Sequence, residues 1–213
     1  MAILNNLVIG SSSEIAKELS QIIDIIPISK EDFDVRNLDE IDSFVKSIVK
    51  KYGKLDNLIY IAGIQNIKPL RVMKINEIKE IFDVNFFGAM MFAKSFASKR
   101  VSNQNSSITF ISSIAGIEAE SGILAYSASK GALNNLTQGL AKEIAPIRVN
   151  AIAPGFMKTK MTNIYSDEFI KEMENKSPLG LVTPKDVANT IKFLIDSPKI
   201  TGEVIKIDGG FNG

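Results

Sequence analysis

Two residues one helical turn apart could exchange a proton with a substrate. Tyr126 and Lys130 lie four positions apart in a stretch with helical apolar spacing. Residues i and i+4 share one helix face, so the Lys130 ammonium can lie beside the Tyr126 phenol and is expected to lower its pKa toward the range useful in acid/base catalysis. Ser113 follows the apolar run Ile108 to Ile111, and its hydroxyl can hold a carbonyl oxygen. These residues predict proton transfer coupled to a redox step.

The composition excludes several other mechanisms. The chain has no His and no Cys. It therefore cannot build a Ser-His or Cys-His nucleophile, a thiol redox pair, a disulfide, or a zinc site with His or Cys ligands. Tyr, Lys, Asp and Glu remain as acids and bases, and we expect no metal site.

Size and charge favour one globular domain without a nucleic-acid partner. The chain has 213 residues, is 45% hydrophobic and carries a net charge of +1. No apolar run approaches the roughly 18 residues of a membrane span, and the N-terminus enters an apolar strand without a signal-peptide layout. We expect a cytoplasmic protein with no membrane partner.

Short apolar runs alternate with amphipathic stretches, a pattern that predicts an α/β fold with a parallel sheet between two helical layers. The predicted strands are Leu7 to Ile9, Ile25 to Ile28, Leu58 to Ile61, Ile108 to Ile111, Val149 to Ala153 and Val204 to Ile207. The predicted helices are Glu14 to Ile22, Leu38 to Lys51, Ile75 to Ala97, Ile123 to Glu143 and Pro184 to Ile195.

Two segments have unusual patterns. Asn163 to Ser177 is charged and weakly periodic, and we interpret residues 162–180 as a mobile substrate lid. Ile75 to Ala97 carries more apolar surface than one core-facing stripe can bury. Either a second subunit covers the excess, giving a homodimer or homotetramer, or the helix is buried within the monomer.

Four motifs in order resemble the short-chain dehydrogenase/reductase family over nearly the whole chain. They are Ile111 to Gly116 with Ser113, Tyr126 to Ala132 with Lys130, Arg148 to Phe156 followed by Thr159, and Ile200 to Gly202 followed by Asp208 to Gly210.

The resemblance implies a single doubly wound, Rossmann-like domain over residues 1–213 that binds NAD or NADP. It implies that Tyr126 is the acid/base, Ser113 positions the carbonyl, Lys130 tunes Tyr126 and binds the nicotinamide ribose, and Asn85 holds a proton-relay water. The implied cofactor-binding residues are Gly10, Ser11, Ser12, Ser13, Ile15, Ser29, Lys30, Asp34, Val35, Ala62, Gly63, Tyr126, Lys130, Pro154, Gly155, Met157 and Thr159.

The glycine-rich loop departs from the family pattern. Gly10 keeps the tight turn and Ala16 is small enough for close packing, but Glu14 replaces the glycine that lets the backbone approach a pyrophosphate. Ser11 and Glu14 fit a capping box, which would fold the carboxylate back on the helix terminus. Otherwise Glu14 weakens cofactor binding. We favour the capping box.

The region from the second to the third strand departs as well. Tyr60 and Ile61 replace the two Asn residues usual before Ala62-Gly63, which should remove side-chain hydrogen bonds but keep the turn. Only Ser29 to Asp32 separates the second strand from the expected adenine contact at Asp34-Val35, whereas a parallel crossover needs a dozen or more residues. We expect a missing helix and a reduced sheet.

The expected cofactor and substrate preferences also follow from the resemblance to the family. Lys30 and the lack of an acid after the second strand favour NADP over NAD. Phe156, Met157, Met161 and the lid from Asn163 onward should form an apolar slot flanked by Lys158 and Lys160. This slot would suit a small anionic carbonyl or a carrier-linked carbonyl such as a 3-oxoacyl thioester.

Three functions are compatible with these residues. The favoured one is an NAD(P)-dependent oxidoreductase that interconverts a carbonyl and an alcohol. Glu14 and Tyr60 motivate a second, a dinucleotide-binding regulatory or scaffold protein that has lost turnover. A third, a sugar-nucleotide epimerase or dehydratase, uses similar Tyr and Lys chemistry but resembles longer chains with an added substrate domain.

Overall fold

Six parallel strands form one sheet in the order β2-β1-β3-β4-β5-β6. The computed structural model describes residues 4–211. All six predicted strands are present. The strands are β1 (Asn6–Ile9), β2 (Ile26–Ile28), β3 (Leu55–Tyr60), β4 (Ser102–Ile111), β5 (Arg148–Pro154) and β6 (Val204–Ile207). Four of them, β1, β3, β4 and β5, begin earlier than predicted.

Within residues 4–211 there are seven α-helices. They are α1 (Glu14–Leu19), α2 (Ile41–Tyr52), α3 (Ile75–Phe82), α4 (Gly88–Phe96), α5 (Leu124–Glu143), α6 (Asp167–Asn175) and α7 (Pro184–Ile195). Short 3₁₀ turns at Leu38–Glu40, Leu70–Val72, Ile114–Gly116 and Lys160–Thr162 connect them. Five of the helices, α1, α2, α4, α5 and α7, pack against the sheet.

The hydrophobic core has two layers because the central strands are apolar on both faces. On one face, residues of α2, α4 and α5 pack against Leu58 and Phe110. On the other, residues of α1 and α7 pack against Val8 and Ile152. This arrangement confirms the predicted doubly wound α/β fold.

The order of the strands fixes where a ligand can bind. The chain passes from β1 to β2 on one side and returns to β3 on the other side of β1. At such a switch point the loops after the strands diverge and leave a crevice at their carboxyl ends. The loops that follow β1, β3, β4 and β5 all begin at this edge.

The predicted missing helix is confirmed between β2 and α2. A single turn closes the gap, with the Phe33 N–H donating to the Ser29 carbonyl at 3.1 Å. The Asp32 carboxylate accepts hydrogen bonds from the Ser29 N–H at 2.9 Å and the Ser29 hydroxyl at 2.8 Å. β2 is therefore an edge strand, and the chain returns directly to the core at Val35.

Two predicted segments have a different internal structure. The long helix from Ile75 is interrupted by a π-helical segment at Asp83–Phe87, which separates α3 from α4. The weakly periodic region 162–180 contains α6, which begins after the Ser166 cap and buries Ile170 and Met173. Within residues 4–211 no helix has both the length and the apolar character needed to cross a membrane.

Candidate active site

Tyr126 and Lys130 occupy one face of the first turns of α5, as their spacing predicts. The Lys130 ammonium lies 5.7 Å from the centre of the Tyr126 ring. It donates a hydrogen bond to the Ile111 carbonyl at 2.7 Å, at the end of β4. Lys130 is buried, with 3% of its surface exposed. This hydrogen bond fixes the helix face against the strand that carries Ser113.

The expected effect of Lys130 on Tyr126 is wrong for the protein without cofactor. Burial raises the pKa of Tyr126 to about 12, although a hydrogen bond with Ser113 lowers it in part. Burial likewise lowers the pKa of Lys130 to about 8. Desolvation disfavours both charged forms, so it outweighs the attraction between ammonium and phenolate. Tyr126 is therefore a protonated phenol at neutral pH.

Ser113 is the second residue beyond β4 and the cap of the following 3₁₀ turn. Its hydroxyl accepts a hydrogen bond from the Ala115 N–H at 3.1 Å. A Ser hydroxyl has one donor and two acceptor sites, so this contact leaves it able to bind a further oxygen. Ser113 and Tyr126 line the same cavity.

Asn85 lies in the π-helical segment and is fully buried. Its carboxamide accepts from the Ile64 N–H at 2.8 Å and donates to the Ile64 carbonyl and the Ser129 hydroxyl at 3.0 Å each. These contacts tie the loop after β3 to α5, one residue from Lys130. The carboxamide is thus fully engaged, and Asn85 occupies a bulge that reshapes the helix, as π segments at functional sites often do.

A cavity of about 110 Å³ opens above Ser113 and Tyr126. Phe156, Met157 and Met161 line it as expected, but Lys158 and Lys160 do not. Pro154, Gly155 and Thr159 also line this cavity rather than the neighbouring groove. Tyr165, Phe169 and Met173 also line it, as expected for the segment from Asn163 onward. Sequence reasoning missed Gln65, Glu120 and Phe211, which belong to loops without a legible pattern.

A second, larger groove of about 370 Å³ lies at the switch point between β1 and β3. Of the expected cofactor residues, it is lined by Gly10, Ser12, Ser13, Ser29, Lys30, Asp34, Val35, Ala62 and Gly63. Ser11 and Ile15 do not line it, and the Ile15 side chain is buried in the core. Further lining residues are Phe33, Arg36, Glu80, Val84, Lys160 and Met161.

The groove fits a dinucleotide at both ends. Gly10 has φ +94°, and a Cβ there would lie 2.6 Å from the Ala62 nitrogen, so only glycine permits this close turn. The N–H groups of Glu14 and Ile15 have no acceptor within residues 4–211, leaving them available to phosphate oxygens. A Cβ on Gly63 would lie 3.4 Å from Lys130 Nζ, so the groove reaches Lys130.

The predicted capping box at Glu14 is wrong. Ser13, not Ser11, caps α1 by accepting from the Ala16 N–H at 3.2 Å. Glu14 is consequently the first helical residue, and its carboxylate extends across the groove to accept from the Lys160 N–H at 3.0 Å. Glu14 thereby joins the glycine-rich loop to the 3₁₀ turn that precedes the proposed lid.

Tyr60 makes a hydrogen bond where the sequence predicted only a loss. Its buried hydroxyl donates to the Val84 carbonyl at 2.6 Å, inside the π-helical segment. Gly88 makes room for this contact, since a Cβ there would lie 2.5 Å from the Tyr60 oxygen. Burial raises the pKa of Tyr60, which remains a neutral donor. Tyr60 thus braces the helix next to Asn85.

The far end of the groove is charged. Arg36 donates to Asp34 through Nε at 2.9 Å and Nη2 at 2.6 Å, and to Glu80 through Nη1 at 2.8 Å. The hydrogen bond from Arg36 lowers the pKa of Asp34 to about 2. The exposed Lys30 also lines the groove. Arg36 directly follows the Asp34-Val35 motif, a proximity that could have identified it.

Comparison with known proteins gives the family. A family model described as enoyl-(acyl carrier protein) reductase matches residues 7–212. The human 3-oxoacyl-[acyl-carrier-protein] reductase is 35% identical over 180 residues, covering 83% of this chain and 75% of the human protein. A reductase of the same name from Thermotoga maritima is 36% identical over 181 residues, covering 83% and 74%.

Solved structures agree. A small-chain dehydrogenase in complex with NADPH superimposes with a TM-score of 0.89 at 29% identity, over 100% of both chains. The aldohexose dehydrogenase of Thermoplasma acidophilum, solved without ligand, gives 0.86 at 26% identity, over 99% of this chain and 95% of that one. The chain therefore belongs to the short-chain dehydrogenase/reductase family and is an NAD(P)-dependent oxidoreductase.

Proposed function

We propose that this protein reduces a carbonyl to an alcohol with NADPH, using Tyr126 as the proton donor. The observation that carries the proposal is the convergence of Ser113, Tyr126 and Lys130 where the substrate cavity meets the nucleotide groove. A bound nicotinamide supplies or accepts the hydride. The residues of the chain hold the carbonyl and provide the proton.

The raised pKa of Tyr126 favours the reductive direction. With a pKa of about 12 the phenol keeps its proton at neutral pH and can donate it to the oxygen that gains charge as hydride arrives. Ser113 can donate to the same oxygen and hold it beside the phenol. Lys130 would then stabilise the phenolate once cofactor and substrate are bound, because charge develops on Tyr126 only at that stage.

We propose that Asn85 and Lys130 help to return a proton to Tyr126 after it has donated one. Asn85 links the loop after β3 to α5 through Ile64 and Ser129, and this loop borders both cavities. The family resemblance implies that Asn85 holds a proton-relay water. Because the Asn85 carboxamide is fully engaged, we propose that the Asn85 backbone holds this water beside Lys130. The side chain would serve to fix the bulge.

We propose NADP as the preferred cofactor and NAD as the alternative. The support is Lys30 at the end of β2, exposed at the groove, with Arg36 beside it. Arg36 is held by two carboxylates, so a 2′-phosphate would find Lys30 the less committed cation. The sequence places no acid directly after β2, and Asp32 is bonded to Ser29.

The first substrates to test are 3-oxoacyl thioesters, free or carrier-linked, because reductases named for such substrates are among the relatives. Titration of purified protein with NADPH and NADH, followed by a panel of ketones and 3-oxoacyl thioesters, tests the proposal. Oxidation of NADPH with matching alcohol formation supports a reductase. Binding without turnover on any carbonyl would instead support the regulatory or scaffold alternative.

We propose that residues 162–180 act as a lid over the substrate cavity. Phe169 and Met173 of α6 line that cavity together with Tyr165. Hydrogen exchange of this segment with and without cofactor tests the proposal, since closure should protect its amides.

We propose a homodimer or homotetramer. Exposed apolar side chains cluster before and on α3, where Leu70, Val72 and Ile75 are 53%, 53% and 62% exposed. The Lys68 N–H donates to the Gly122 carbonyl at 2.7 Å and brings Leu124, which is 42% exposed, close to them. A second copy would bury this patch. Light scattering of the wild type should give a multiple of the chain mass, and Ile75→Lys should reduce the measured mass.

The cytoplasmic location remains a prediction that cell fractionation would test.

A further inference from the structure

The cavity above Tyr126 has an aromatic wall formed by the proposed lid. Tyr165 and Phe169 stack with ring centres 4.5 Å apart, and Phe156 meets both edge-on at 5.5 Å and 5.7 Å. The Gln65 carboxamide donates to the Tyr165 hydroxyl at 3.0 Å and fixes this ring. This wall is apolar, so it can select a substrate by its shape and not by its charge.

A polar wall of the cavity contains Glu120, which has the only carboxylate among the described residues that line it. The Glu120 N–H donates to the Ser127 hydroxyl at 3.4 Å, which ties its loop to α5 one residue beyond Tyr126. Within residues 4–211 the carboxylate itself makes no hydrogen bond or ion pair. Desolvation raises the pKa of Glu120, and Lys176, which lowers it, is already paired with Glu172 at 2.6 Å.

Glu120 is exposed to the cavity, and its carboxylate, without a protein partner, can accept a hydrogen bond from a ligand that donates one. The same charge repels an anion in the cavity. Lys158 and Lys160, which could have offset that repulsion, do not line this cavity. The polar wall is therefore suited to a neutral or cationic substrate.

We propose that Glu120 is a specificity-determining residue that accepts a hydrogen bond from a hydroxyl or amide N–H of the substrate near the reacting carbonyl. Carbonyl compounds with such a donor are preferred, and carboxylates are disfavoured. The inference rests on the proposed function, because it names the substrate class of the same cavity. The donor could be a hydroxyl beside the ketone or an amide of a thioester arm.

Matched substrate pairs test this preference through kcat/KM with NADPH. Hydroxyacetone and butan-2-one differ by one hydroxyl, and the acetoacetyl thioesters of N-acetylcysteamine and ethanethiol differ by one amide. Acetoacetate and its methyl ester differ by one charge. The wild type should prefer the donor-bearing member of at least one of the first two pairs, and the methyl ester in the third, by about tenfold.

Two variants at Glu120 and one control variant separate a direct hydrogen bond to the substrate from a general effect of negative charge near the cavity. Glu120→Leu should remove the donor preference, and Glu120→Gln should raise the relative use of acetoacetate by about tenfold. Glu118→Gln removes the same charge two residues away, at an exposed residue that does not line the cavity, and should change no ratio. The pair that responds to Glu120→Leu identifies the donor as hydroxyl or amide.

The outcomes are distinct. Turnover with unchanged ratios in both Glu120 variants, or equal shifts in Glu118→Gln, would overturn the role of Glu120 and leave the reductase proposal standing. Absence of turnover for every carbonyl, with NADPH bound, would overturn the proposed function and this inference together.

Discussion

The catalytic side and the nucleotide side of this molecule differ in how they keep a functional geometry. On the catalytic side, Ser113, Tyr126 and Lys130 follow the family pattern and are fixed by the end of β4 and the start of α5. On the nucleotide side, Glu14, Tyr60 and the shortened turn after β2 depart from it. Each departure nevertheless has a defined set of contacts.

This difference shows that a fold can absorb substitutions by rerouting hydrogen bonds. Tyr60 donates to the backbone next to Asn85, Glu14 reaches across the groove to Lys160, and Asp32 closes the turn that replaces a helix. Such contacts preserve the crevice at the switch point although the side chains that line it have changed.

The largest expected effect is on the catalytic side. Tyr126→Phe removes the proposed proton donor and should lower kcat by about a thousandfold or more, because proton transfer in the transition state would be lost. The dissociation constant of NADPH should change little. Tyr165→Phe, which lines the same cavity, is the matched control and should keep most activity. Similar turnover in wild type and Tyr126→Phe would show that another group is the acid.

The buried ammonium of Lys130 should appear in the pH dependence of stability. Its pKa falls to about 8 in the folded protein from an ordinary 10.5. Between about pH 8 and pH 10.5 the lysine is protonated in the unfolded chain and neutral in the folded protein. The free energy of unfolding therefore rises with pH across this range, by about 3 kcal/mol. Below pH 8 the contribution is constant and unfavourable.

Lys130→Met removes this titration and is the variant to compare. The wild type should gain unfolding free energy relative to Lys130→Met between pH 8 and 10 in denaturant titrations without cofactor. Lys142→Met, at an exposed position on the same helix, should titrate like the wild type. A pH-independent difference for Lys130→Met would mean that the ammonium is not desolvated.

Tyr60→Phe tests whether the rerouted hydrogen bond stabilises the nucleotide side. Loss of the donor leaves the buried Val84 carbonyl without this contact and should cost about 1 to 2 kcal/mol of unfolding free energy. Tyr52→Phe, at a residue that is 42% exposed, should be nearly neutral. Equal stability of Tyr60→Phe and wild type would reduce Tyr60 to a packing residue.

The smallest expected effect concerns Glu14. Glu14→Gln keeps an acceptor for the Lys160 N–H but removes a charge beside the site for phosphates, so NADPH should bind about threefold to tenfold more tightly at low salt. Glu14→Gly should also tighten binding. Glu18→Gln, on the same helix, serves as the control. Unchanged or weaker binding in both Glu14 variants would show that the carboxylate does not oppose the cofactor.

The strands and most helices could be predicted because their apolar runs report burial directly. The missing helix could be predicted because Ser29 to Asp32 is too short for a crossover. The π segment could not, since Tyr60, whose hydroxyl contacts the Val84 carbonyl of that segment, lies 24 positions away along the chain.

Within the site, prediction was limited because the sequence does not show where side chains point or what surrounds them. The sequence placed Tyr126 and Lys130 on one face but could not weigh burial against attraction, so it predicted the wrong sign for the pKa shift of Tyr126. It placed Glu14 at the helix start but could not locate Lys160, which is 146 positions away along the chain. Glu120 was missed because nothing in a loop sequence shows which cavity it lines.

The central claim is that the altered nucleotide side still serves an intact catalytic side. The most direct test mixes purified wild type and Tyr126→Phe with NADPH and the carbonyl panel, following cofactor binding by fluorescence and oxidation by nicotinamide absorbance. We predict equal binding by both proteins and turnover by the wild type alone. Binding by both without turnover by either would contradict the claim and favour a dinucleotide-binding protein without catalysis.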